Sequence, residues 1–127
     1  MKYKTEYFFC SPRLLKNVNE VNEIYSCINQ VKWEKDFYIN IGNQQYGYQA
    51  AYNKGLEMEF SKYGWELKPL LHDKPKLIGD FKKNDIFVEI QFGNSATLYR
   101  DYYKFHYGLT YNLLSLAVLI VPIQFSY

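Results

Sequence analysis

The chain changes its hydrophobic period several times, and each change marks an element. Leu14, Val18, Val21, Tyr25 and Ile28 follow one another at spacings of four, three, four and three. That stripe predicts an amphipathic helix, opened by Ser11 as cap and Pro12 at the first helical position. Residues 3–10 predict a short strand before it, and Phe37 to Ile41 a strand after it. A second helix is expected from about Tyr48 to Tyr63, with Tyr52, Leu56, Phe60 and Tyr63 on one face and Gly64 ending it. Strand-like segments follow. Trp65 to Leu71 is one, and Leu77 to Phe81 pairs with Ile86 to Phe92 as a hairpin across the turn Lys82-Lys83-Asn84-Asp85. Gly93-Asn94-Ser95 breaks the second hairpin strand. Ser95 then caps a third helix whose buried face is Leu98, Tyr102, Phe105 and Leu109. Leu113 to Ile123 is the final strand. No repeat, low-complexity tract or linker interrupts the 127 residues, which predicts one mixed α/β domain over 1–127.

Composition narrows the class. The apolar fraction, 48%, is that of a globular protein. Fourteen tyrosines cannot all be contacts; most should bury the ring and expose the hydroxyl. A net charge of +2 says little about partners, although Lys74, Lys76, Lys82 and Lys83 cluster around the hairpin. Cys10 and Cys27 have no metal-ligand spacing and read as core thiols. With no apolar leader in the first ten residues, they point to the reducing cytoplasm. The apolar run Leu113 to Ile123 is shorter than the roughly 20 residues a membrane span needs. His72 and His106 lack partners at zinc spacing and read as structural. No phosphate-binding glycine motif is present. Arg100 and Lys104 share a helix face and are placed either to touch phosphates or to face solvent.

One segment breaks its own pattern. In GDFKKNDIFVEIQFGNS, from Gly79 to Ser95, alternation puts Phe87, Glu89 and Gln91 on one face of the second strand and Ile86, Val88, Ile90 and Phe92 on the other. The turn brings Asp80 beside Glu89, so two carboxylates and an amide converge at one edge of the sheet. Two such carboxylates repel unless a cation lies between them. Mg²⁺ takes one or two carboxylates and keeps several waters, and the Ile90 carbonyl lies between the two polar side chains. The same residues would equally suit an exposed, solvated sheet face, and the spacing alone leaves both readings open.

Asp80, eight residues, Glu89, one residue, Gln91, followed by Phe92-Gly93-Asn94, resembles the active-site hairpin of the PD-(D/E)XK nuclease superfamily. It looks most like the type II restriction endonucleases of the BglII and BstYI branch, in which Gln stands where most relatives carry Lys. A helix ending in Gly64-Trp65 adds to the likeness, which is strongest over residues 52–122. The resemblance implies a restriction-endonuclease-like mixed sheet flanked by helices. It implies Mg²⁺-dependent hydrolysis of duplex DNA at a palindromic site with a GATC core, by a homodimer. Asp80 would be the main metal ligand and the Ile90 carbonyl another, while Glu89 would hold and orient a water beside the metal. Gln91 would position the attacking water, without the positive charge a lysine brings. Asn94 matches a DNA-contacting position, and Lys82 and Lys83 would face the phosphates. Two departures stand out: Gly79 replaces a proline common in relatives, and relatives continue well past the last strand, so the chain reads as a shortened homologue, a natural truncation or a fragment. The rival readings are an inactive DNA-binding or assembly module on the same fold, and a nuclease for branched or damaged DNA.

Overall fold

The computed structural model describes residues 4–8, 10–31, 38–91 and 95–121. These fall into two compact units, 1–63 and 64–127.

The first unit holds helices α1 (Pro12–Leu15), α2 (Asn19–Gln30) and α3 (Tyr48–Lys62) and the antiparallel hairpin β1 (Tyr38–Ile41) with β2 (Gln44–Gly47). The single first helix expected from the stripe is broken. α1 ends at Lys16-Asn17, and a new helix starts after the extended Val18, whose carbonyl accepts from the Val21 and Asn22 amides. The break shifts the buried face to Ile24, Cys27 and Ile28 and leaves Leu14 largely exposed. Ser11 caps α1 through its backbone carbonyl, which accepts from the Leu14 and Leu15 amides, and not through its hydroxyl. The described residues of 4–10 form no strand. β2 was not foreseen; Gly42, at φ +60°, turns the chain back onto β1. In α3 the expected face holds at Leu56 and Phe60, joined by Ala51 and Gly55, while Tyr63 lies outside it. A Cβ on Gly55 would stand 3.3 Å from Ile39, so the missing side chain lets α3 close on the hairpin. Burial, reinforced by Glu59 and Glu23, pushes the Cys27 thiol up to about 12, an inert core group.

The second unit carries the sheet β3 (Glu66–Leu67), β6 (Phe81–Lys83), β7 (Ile86–Ile90) and β8 (Leu116–Ile120), in that order, with a two-stranded ribbon of β4 (Leu70–His72) and β5 (Leu77–Ile78) and the helix α4 (Ser95–Thr110). The expected strand Trp65 to Leu71 is split, because Lys68 adopts φ +49° and Pro69 follows, sending β3 and β4 to different sheets. The hairpin is likewise divided: β5 pairs with β4, and only β6 pairs with β7. The turn is Asn84-Asp85, with Asn84 at φ +53°, so Lys82 and Lys83 are strand residues. They stand opposite Phe87 and Ile86, and strand alternation aims them at opposite faces. β8 begins three residues later than expected and runs parallel to β7, so α4 is the crossover of a strand–helix–strand unit. The expected residues Phe92, Pro122 and Ile123 lie outside the described ones.

Phe87, Leu71, Leu77, Phe105 and Leu114 form the core of this unit. Gly79 makes room for it: a Cβ there would fall 2.1 Å from the Phe87 ring. A proline at 79 would carry the same Cβ, which accounts for the departure noted above. Gly108 does the same on α4, where a Cβ would meet Leu114 at 2.4 Å. No helix among the described residues is long and apolar enough to cross a membrane.

Candidate active site

Asp80 and Glu89 face each other across β6 and β7. The pairing Phe81 with Val88 extends one step to bring them opposite, and opposite residues of an antiparallel pair share a face. Asp80 is pinned at both ends. Its carbonyl accepts from the Lys68 amide at 2.9 Å, and its Oδ2 accepts from the Ile90 amide at 2.7 Å. The left-handed turn at Lys68 makes the first contact possible, so the kink that splits the expected strand also fixes the acid.

The face of β7 that carries Phe87 and Glu89, continued by Gln91, is not the solvated one of the two alternatives. α4 covers it. Phe105 meets the Phe87 ring edge to face with centroids 6.0 Å apart. Lys104 Nζ donates to Glu89 Oε1 at 3.0 Å, and the Gln91 amide nitrogen donates to Asp101 Oδ2 at 2.8 Å. Lys104 also lies 3.7 Å from Asp101 Oδ1. Asp101, Lys104 and Phe105 occupy one side of the helix, at i, i+3 and i+4. Of the residues expected on the buried face, Phe105 is buried and Leu98 partly so, while Tyr102 and Leu109 are exposed and the acid Asp101 is buried in their stead.

Burial decides the electrostatics. Glu89 and Asp101 are each only 3% exposed. Loss of hydration, with the Asp80 carboxyl both hydrogen-bonded to it and charged beside it, pushes Glu89 up to about 8 against the opposing pull of Lys104. Glu89 therefore holds its proton more tightly than an ordinary carboxyl. A pocket of about 390 Å³ opens above it, lined by Asp80, Glu89, Gln91, Asp101, Lys104 and, at the exposed rim, Lys68 and Arg100. Its floor is acidic and its rim basic.

A family model described as restriction endonuclease BglII/BglIII matches residues 4–125. The chain belongs to the BglII/BglIII restriction endonuclease family. The mixed sheet with its helices is consistent with the restriction-endonuclease-like fold of that family. No curated protein and no solved structure matches the chain.

Asp80, Glu89, Ile90 and Gln91 are brought together; Asn94 lies outside the described residues. Lys82 is on the Asp80 face of the sheet and Lys83 on the other. Glu57, on α3, pairs with Lys54 at 3.3 Å. His72 is structural. Its Nδ1 lies 3.2 Å from the Pro75 carbonyl and its Nε2 3.3 Å from the Tyr107 hydroxyl, which fits one neutral tautomer donating to Pro75 and accepting from Tyr107. Asp101 and Lys68 escaped the sequence reading. Asp101's one signal was its place four residues before Phe105, which a hydrophobic stripe cannot reveal when the residue is an acid.

Proposed function

We propose that this chain is a type II endonuclease that hydrolyses phosphodiester bonds of duplex DNA with Mg²⁺. The observation that carries the reading is the meeting of the Asp80 and Glu89 carboxyls on the floor of a pocket with a basic rim. Two carboxyls that crowd each other in this way are a donor set for a hard divalent ion. Among the described residues no group of three or more His, Cys, Asp and Glu is arranged to hold a metal. Asp80, Glu89 and the Ile90 carbonyl would hold the ion, with water filling its other positions. All of these donors are oxygens, which suits Mg²⁺. When bound, it supplies positive charge at the phosphate and acidifies water.

The chain's own groups do the rest. The Ile90 amide fixes the Asp80 carboxyl. Asp101 holds the Gln91 amide by its nitrogen, which sets the orientation of the amide toward the attacking water. Lys68 and Arg100 at the rim, Lys82 on the same sheet face and Asn94 receive the DNA backbone, while Lys83, on the other face, has no part in it. A homodimer would match the two-fold symmetry of a GATC-containing palindrome.

The test is incubation of the protein with plasmid DNA in Mg²⁺ and mapping of the ends. Discrete ends at palindromic GATC-containing sites are expected. Intact plasmid across a range of sequences would refute the reading.

A further inference from the structure

Gln91 leaves the reaction short of one positive charge, and the structure holds a cation within reach of the same atoms. Lys104 comes from α4, not from the catalytic hairpin. Its side chain is 12% exposed, and its ammonium lies 3.0 Å from Glu89 Oε1 and 3.7 Å from Asp101 Oδ1, on the wall of the pocket that Asp80 and Gln91 line. Lysine loses much side-chain entropy and hydration when held so far from water. An ammonium held there by two acids that are themselves almost fully buried is a built position and not a solvated helix face. Its ion pairs are with these two acids, and Arg100, one turn earlier, remains exposed.

We propose that Lys104 is the fixed cation of this active site: it stands in for the divalent ion beside Glu89 while the site is empty of metal, and in the reaction it presents positive charge to a non-bridging oxygen of the scissile phosphate. Asp101 positions it, and holds Gln91 with its other oxygen, so one buried acid sets both the ammonium and the amide. The chemistry is hydrolysis. A water oxygen forms the new bond to phosphorus, the bond to the leaving sugar oxygen breaks, and the proton lost by water passes to solvent while the leaving oxygen takes one from it. Lys104 exchanges no proton in this account. It offsets the charge that gathers on the phosphoryl oxygens, where one preorganised donor is worth roughly a hundredfold to a thousandfold in rate. A basic residue on the helix over the strand thus does what a lysine at position 91 would do from within it.

This inference rests on the nuclease reading, so its test has an arm without DNA. Lys104→Met, which keeps the bulk of the stem, and Lys104→Arg, which keeps the charge, are compared with the unaltered protein. Single-turnover cleavage is followed in Mg²⁺, DNA affinity in Ca²⁺, and Mn²⁺ binding in the absence of DNA. For Lys104→Met we expect cleavage to fall on the order of a hundredfold or more, DNA affinity to hold within about threefold, and Mn²⁺ to bind tighter, because a competing cation is gone. Lys104→Arg should recover at least a tenth of the lost rate. Cleavage by Lys104→Met within about threefold of the unaltered protein, or a loss matched by lost DNA affinity, would overturn the proposal. So would unchanged Mn²⁺ affinity. If the unaltered protein cuts no DNA, the nuclease reading fails by itself, and the Mn²⁺ titration still decides whether Lys104 holds the cation position.

Discussion

Gln91 and Asp101 are joined by a 2.8 Å hydrogen bond that ties the end of β7 to the helix above it. The bond also orients the amide, since a carboxylate accepts only from the nitrogen. Asp101→Ala should therefore cost at least as much as Gln91→Ala, because Asp101 also positions Lys104. Each should slow cleavage roughly tenfold to a hundredfold while leaving DNA affinity in Ca²⁺ nearly unchanged, because the loss is of water positioning. The two changes should not add in the double variant. Additive losses would mean that the two side chains act separately.

The acids should make the metal-free protein sensitive to pH in a definite direction. Glu89 is raised from the ordinary 4.5 to about 8 by burial and Asp80. The folded state then binds its proton more tightly than the unfolded chain does. That contribution to stability is complete below about 4.5 and is lost as pH rises toward and through 8. The difference in Tm between Glu89→Gln and the unaltered protein, both without metal, should therefore grow in favour of the variant between pH 5 and 9. A difference that stays flat with pH would show that Glu89 ionises normally.

Mg²⁺ should relieve the same strain. At a hundred times its Kd a ligand that binds only the folded state adds about 2.7 kcal/mol. Tm should rise with Mg²⁺ in the unaltered protein and stay still in Asp80→Asn. An equal rise in both would remove Asp80 as a ligand.

Much of this was readable in the chain, and the misreadings have physical causes. The spacing of Asp80, Glu89 and Gln91 placed them on one face because strand alternation is rigid. Two features that the hydrophobic pattern cannot carry were missed. One is backbone sign: Lys68 at φ +49° splits an apolar run that alternates well enough for one strand. The other is a buried face made of charge. The tyrosines and leucines of α4 repeat at helical spacing, yet Asp101, Lys104, Phe105 and Gly108 are what the helix turns inward. A stripe of apolar residues marks the core only where the facing strand is apolar, and β7 presents Glu89 and Gln91 there.

Gly79 makes a separate claim on packing. The Phe87 ring occupies the space a Cβ would need, and Phe87 is fully buried. Gly79→Ala should cost about 1–3 kcal/mol in a urea melt. Phe87→Leu in the same background should recover part of that loss, and no recovery would mean that the strain lies elsewhere.

The central claim is that Glu89 serves the chemistry and not the binding. One comparison tests it: Glu89→Ala beside the unaltered protein, with cleavage of a duplex followed in Mg²⁺ and affinity for the same duplex titrated in Ca²⁺. Removing Glu89 should lower the cleavage rate on the order of a thousandfold or more. Affinity should hold or tighten, since a negative charge near the phosphate is gone. A variant that cuts as fast as the unaltered protein, or one that loses cutting only in step with its grip on DNA, would contradict the account.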